Sequence, residues 1–183
     1  TTPLVLGAFV YTLYIGDVTP NLALNQWAMW MALALPLLLI QVSAEEILFR
    51  GYLMQDLATR FSSRWIWYTV PAVVFGLLHL DPERFGSNAI LVVVGTTMFG
   101  FFAADLTVRT GNLGAAIGLH FMNNFMAMML VSLDGTLNGL SLFVTNTHAS
   151  DQAAVRGLLI ADIVTIAGLY SLYLLFIRWR KWE

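Results

Sequence analysis

Three short polar runs interrupt an otherwise apolar chain, and each could do chemistry. The first is Glu45-Glu46-Ile47-Leu48-Phe49-Arg50. Glu46 and Arg50 are four apart, so on a helix they share a face and can pair. Glu45 lies about 100° further round and is not matched at that spacing. Adjacent carboxylates in an apolar helix are costly, and each must protonate or find a cation. One reading is a buried ion pair plus a carboxylate in a water-filled cavity. The other divides the labour: Glu46–Arg50 orients the backbone and Glu45 acts as a general base. The second run is Phe75-Gly76-Leu77-Leu78-His79, with Phe75 one turn before His79. The third is His120-Phe121-Met122-Asn123-Asn124, in which His120 and Asn124 share a face and Asn123 lies beside them. A satisfied core histidine, or His and Asn holding helices together, would also account for these two.

Spacing argues for the three acting together. Glu45 is 15 residues before Arg60 and His79 is 15 after Arg64. In an antiparallel hairpin turning at 61–63, both lie about 22 Å from the turn. His120 is 11 residues beyond Arg109, about 16 Å in from a turn on the same side. A carboxylate, two imidazoles and an amide from three helices can then converge. Glu45 and His79 would hold and deprotonate a water, and His120 and Asn124 would donate to the oxyanion of a tetrahedral intermediate. Glu45, His79 and His120 also meet the ligand needs of zinc, but there is no HExxH and each comes from a different helix.

The elements that must position these residues are membrane helices. Hydrophobic residues make up 58% of the 183 positions and charged residues 11%. Residues 18–44, 65–80, 88–104 and 110–133 contain no Asp, Glu, Lys or Arg. This excludes an ordinary soluble domain and a disordered chain. Nine Lys plus Arg against 11 Asp plus Glu give no basic face for nucleic acid. The absence of Cys excludes disulfides and thiolate chemistry. The start, Thr1-Thr2-Pro3, has no Met and no basic stretch; no signal peptide is expected within it, and further chain could precede it.

The expectation is an all-α, polytopic membrane helix bundle of about six transmembrane helices, forming a single domain over 1–183. The spans fall at about 3–17, 25–60, 65–80, 88–108, 113–132 and 154–177, each drawn from a largely apolar run. The second is longer than a bilayer core, so its end must protrude or bend, and Pro36 is expected to kink it. Residues 81–87 read as a polar loop and 133–152 as the longest loop. The turns at 60–64 and 109 and the tail hold Arg60, Arg64, Arg109, Arg178, Arg180 and Lys181, against Arg84 and Arg156 in the opposite loops. Basic residues favour the cytoplasm, so the C-terminus is expected there. Trp65, Trp67, Tyr68, Trp179 and Trp182 would form an aromatic belt at the same interface.

In these motifs the sequence resembles the CPBP family, the CAAX prenyl-protease and bacteriocin-processing (Abi-type) intramembrane proteases. The family pattern is EExxxR, FxxxH and HxxxN or HxxxD, each on its own helix. Here all three stand complete and in order: Glu45-Glu46 with Arg50, Phe75 with His79, and His120 with Asn124. Gly51-Tyr52-Leu53 also looks like the family, and the resemblance covers about residues 35–130. It implies an all-helical intramembrane fold and peptide-bond hydrolysis. Glu45 would be the catalytic glutamate, His79 its partner on the water, and His120 with Asn124 the oxyanion site. Glu46, Arg50 and Phe75 would support the motif. The family has been described both as metalloprotease and as glutamate protease. The lack of a compact zinc motif favours the metal-free version, with no cofactor. If metal were required, Glu45, His79 and His120 would hold it. Asn123 is extra and could compete with Asn124.

The expected partners are a membrane-associated peptide or protein substrate and the lipid bilayer, with a bacterial inner membrane as location. Short loops speak against a eukaryotic CAAX substrate. Two rival readings fit the same residues. One is a catalytically silent homologue acting as a binding or assembly subunit of a membrane complex. The other is a small transporter relaying protons through Glu45, Glu46 and His79. Elsewhere, Asp105–Arg109 and Asp56–Arg60 are expected as ion pairs. Met126, Met128 and Met129 read as packing. Gly95, Gly100, Gly111, Gly114 and Gly118 are spaced for close helix contacts, with Gly114 and Gly118 as a small-xxx-small pair. Asp162 has no role assigned.

Overall fold

The computed structural model describes residues 18–180, so the expected first span at 3–17 and the tail residues Lys181 and Trp182 lie outside it. The chain divides into two compact units. One takes in residues up to Ala44 together with Ile117–Asp151; the other takes in Glu45–Ala116 and the chain from Gln152 onward.

The first unit begins with strand β1 (Val18–Pro20) and helix α1 (Leu24–Glu46), whose last two residues belong to the second unit. Met31, Ala34, Leu38 and Val42 recur at helical spacing along α1 and are buried with Met129 in one core. Helix α6 (Gly114–Phe125) enters this unit at Ile117. A π-helical turn, Met126–Leu130, extends it and gives way to strand β2 (Val131–Asp134). Strand β3 (Phe143–His148) follows. The strand order is β1-β3-β2, with β1 antiparallel and β2 parallel to β3. This sheet corrects the all-α expectation and takes up residues 133–134 and 143–148 of the loop expected at 133–152. Ser132 and Ser141 are buried and hydrogen-bonded at 2.8 Å. Asn21 donates to the carbonyls of Asn138 and Ser141.

The second unit carries the rest of the long helix. A π-helical segment, Ile47–Leu53, follows α1 directly, and α2 (Met54–Arg60) completes it. Helix α3 (Arg64–Leu77) is 14 residues long. Short α4 (Pro82–Phe85) has Pro82 at its first turn, and the Asp81 carboxylate accepts from the Arg84 N–H at 3.0 Å. It leads through a 3₁₀ turn into α5 (Ala89–Thr110). Gly111 closes α5 at φ 68°, a left-handed position that suits glycine. Helix α7 (Gln152–Arg180) ends the described chain.

Among the described residues, three helices are long and apolar enough to cross a membrane: Leu24–Arg60, Pro82–Thr110 and Gln152–Trp179. The other two expected spans within the described residues are shorter helices. The third stops at Leu77 because the N–H of His79 turns back to the Gly76 carbonyl, and that of Leu80 to Leu77, just before Asp81-Pro82. A proline donates no N–H and biases the residue before it away from helix. The fifth stops where β2 begins.

Lipid offers little drive for burying apolar helix faces against each other, so close backbone approach matters more. A Cβ on Gly76 would collide with Thr97 and come within 2.8 Å of the Val93 carbonyl. A Cβ on Gly100 would stand 3.1 Å from the Cα of Ala72. These two glycines bring α3 and α5 together.

Candidate functional site

The second unit holds Glu45, Glu46, Arg50, Phe75 and His79. Four of them form one connected chain of contacts. Glu46 and Arg50 are 0% and 1% exposed. Arg50 Nη1 donates to Glu46 Oε1 at 2.9 Å and Nη2 donates to the Gly100 carbonyl at 3.0 Å. The glycine matters here, because a Cβ at Gly100 would stand 3.3 Å from Nη2. The guanidinium also lies 4.9 Å from the ring centroid of Phe75, within cation–π range. Phe49 meets the same ring edge-on at 5.1 Å.

Phe75 then passes the arrangement to His79. The rings are 4.9 Å apart, and His79 Nδ1 lies 2.8 Å from the Phe75 carbonyl oxygen. The helix has ended by this point, so His79 sits in the turn after α3 and its side chain is exposed. Sequence spacing had placed it on the helix itself. Glu45 is half-buried, one residue before Glu46, and close enough to Arg50 to interact with it electrostatically.

The π-helical segment starts immediately after Glu46 and contains Arg50. Such a segment inserts an extra residue per turn and often marks a functional position. Gln55 Nε2 reaches back to the Arg50 carbonyl at 3.5 Å.

The first unit holds the other motif. His120 is buried and Asn124 half-buried on α6. Asn123 is exposed and donates from Nδ2 to Asn124 Oδ1 at 3.2 Å. That occupies an acceptor of Asn124 and leaves its Nδ2 as the donor end. Beside His120, Ile117, Gly118 and Phe121 line an apolar groove with Leu35, Pro36 and Leu39. This motif, too, is followed at once by a π-helical turn, at Met126–Leu130. Within either unit, no group of three or more His, Asp or Glu among the described residues could hold a metal ion.

Some participants were not singled out for the site from the sequence. The Gly100 carbonyl and the ring of Phe49 complete the surroundings of Arg50. Gly100 carried a partial signal, as one of several glycines spaced for close helix contacts. Phe49 carried none, because its role depends on a helix distant in sequence.

The chain is similar to YyaK, an uncharacterized protein of Bacillus subtilis (strain 168), with 29% identity over 121 residues. That match covers 66% of this chain and 40% of the relative's length. No solved structure matches significantly. The model of a protease family, type II CAAX prenyl endopeptidase Rce1-like, matches residues 25–126. That stretch holds all three motifs, from Glu45 to Asn124, and is more than half of the chain. Together with helices apolar enough to cross a bilayer, it makes this chain an integral membrane protein of the Rce1-like family.

Proposed function

We propose that this protein is an intramembrane endopeptidase that hydrolyses a peptide bond of a membrane-associated peptide or protein. Glu45 is the general base that takes a proton from water. His79 holds that water through Nε2. His120 and Asn124 donate to the oxyanion as the tetrahedral intermediate forms, and the proton on Glu45 then passes to the leaving amine. Glu46, Arg50 and Phe75 are positioning residues. The observation that carries the reading is the connected run Glu46–Arg50–Phe75–His79. It spends a buried ion pair and a cation–π contact on setting one imidazole. The groove beside His120 suits an apolar part of the substrate.

We favour a metal-free reaction, because the candidate ligands come from separate helices with no compact zinc motif. The donor types Glu45, His79 and His120 would nevertheless suit zinc, and a histidine with Nδ1 on a carbonyl is a common way of orienting a ligand nitrogen. We place the C-terminus on the cytoplasmic side of a bacterial membrane, on the six-against-two distribution of basic residues.

The test is cleavage of a membrane-embedded peptide by the purified, reconstituted protein, comparing wild type with Glu45→Ala and Glu46→Ala. Loss of turnover in Glu45→Ala, in a variant that still folds, is expected. Equal turnover in wild type and Glu45→Ala would overturn the reading and favour a catalytically silent family member. Activity lost on chelation and restored by zinc would overturn the metal-free mechanism alone.

A further inference from the structure

Asp162 stands ten residues into α7, about 15 Å along the helix. That is near the middle of the candidate span Gln152–Trp179, and the residue is exposed. The inner face of α7 is already used: Ile163 packs at Gly95, and Tyr170 and Tyr173 pack on Phe102. Asp162 instead borders an outer face on which Leu158, Ala161, Thr165, Gly168 and Leu172 are all exposed. An ionisable side chain facing hydrocarbon at mid-span is expensive and requires a partner.

The carboxylate has no ion pair among the described residues. Arg156, six residues back, points elsewhere: it donates to Asn88 and Ser87, at 3.1 Å each. Residues 1–17 contain no Lys, Arg or His. Arg50, ten residues inside Leu24–Arg60, is held by Glu46 and Gly100. The remaining described cations stand within five residues of a helix end. Neither residues 1–17 nor the described residues of a second copy therefore offer a free cation at the depth of Asp162.

We propose that the outer face of α7 around Asp162 docks a transmembrane helix of another polypeptide bearing a Lys or Arg near mid-bilayer. Charge complementarity selects that partner. Ala161, Thr165 and Gly168 let its backbone come close; around Gly168 there is nothing within 4 Å of an added Cβ. This surface does not depend on the proposed peptidase activity.

The test uses the full chain, donor-labelled, in phosphatidylcholine vesicles with acceptor-labelled polyleucine transmembrane peptides. One peptide carries a central lysine and the other only leucine, and association is read by energy transfer. The lysine peptide should bind wild type about tenfold more tightly than the leucine peptide. Asp162→Asn and Asp162→Leu should each remove that difference. Gly168→Leu should weaken lysine-peptide binding while leaving the acid in place. Equal binding of both peptides to wild type would overturn the proposal, as would a difference that survives Asp162→Leu. Self-association of wild type that Asp162→Leu abolishes would also overturn it, making the occupant a second copy.

Discussion

The Nδ1 nitrogen of His79 lies 2.8 Å from the carbonyl oxygen of Phe75. A carbonyl can only accept, so Nδ1 carries the proton and Nε2 of the neutral ring keeps its lone pair. The tautomer is set by the chain's own backbone, one turn away. Nitrogen NMR of histidine-labelled protein should therefore show His79 as the Nδ1–H tautomer when neutral. A dominant Nε2–H form would contradict the assignment of Nε2 as the atom that holds water.

Arg50 and Glu46 should be more costly to break than to replace together. Removing one partner strands a buried charge, at about 3–5 kcal/mol in comparable pairs. Arg50→Leu and Glu46→Leu should each lower the unfolding midpoint in detergent sharply. The double variant Glu46→Leu/Arg50→Met should recover much of the loss in stability but not the turnover, since His79 loses its support. Additive losses of stability would argue that the two residues are not coupled.

Phe75→Leu keeps an apolar side chain of similar volume but removes the ring that faces Arg50 and Phe49. The cation–π part alone is on the order of 0.5–2 kcal/mol. Thermal unfolding should show a loss of about that size, and turnover should fall further than stability does. Turnover unchanged beside lowered stability would reduce Phe75 to packing.

The glycines divide by surroundings. Gly76→Ala drives a methyl group into Thr97 and the Val93 carbonyl, and Gly100→Ala sets one against Ala72 and Arg50. Each should cost about 1–3 kcal/mol as overpacking. Gly118→Ala meets nothing within 4 Å, and better helix propensity offers up to about 1 kcal/mol. Stability of the three variants in one detergent would check the order.

Asn124→Ala should reduce kcat on the order of 100-fold, as expected for a lost oxyanion donor. Asn123→Ala should retain most activity, because it removes only the group that orients the Asn124 amide. The reverse order in a peptide-cleavage assay would assign the oxyanion role to Asn123.

What the sequence revealed and what it concealed separate along one physical line. Pairs four residues apart on one helix were legible. Glu46–Arg50, Asp56–Arg60 and Asp105–Arg109 form as expected, at 2.9, 2.9 and 2.7 Å. The family motifs were legible for the same reason, since each is a same-face pair. Contacts between elements were not. The place of Phe75 against Arg50 needs α3 to pack on the π-helical segment Ile47–Leu53, and no local pattern encodes that. The sheet escaped because β1, β2 and β3 are three to six residues long. Their partners are remote in sequence, too little for an alternating pattern to register. The end of α3 was half visible: the polar run at 81–87 announced a stop, but the tightened turn that places His79 beyond the helix did not show.

The shortness of α3 bears on where the proposed reaction would find its water. Fourteen residues rise about 21 Å, against about 30 Å of hydrocarbon. With Arg64 and Trp65 anchoring the other end at the interface, the turn that carries His79 stops about 9 Å short of the far boundary. A bilayer meets such a mismatch by thinning or by letting polar groups draw solvent inward. The polar residues Asp81, Glu83 and Arg84 follow at once, and they line the natural route for that solvent. Hydration of a bond inside a membrane would then be a matter of helix length: about six residues fewer than a span requires keep the imidazole short of the far boundary.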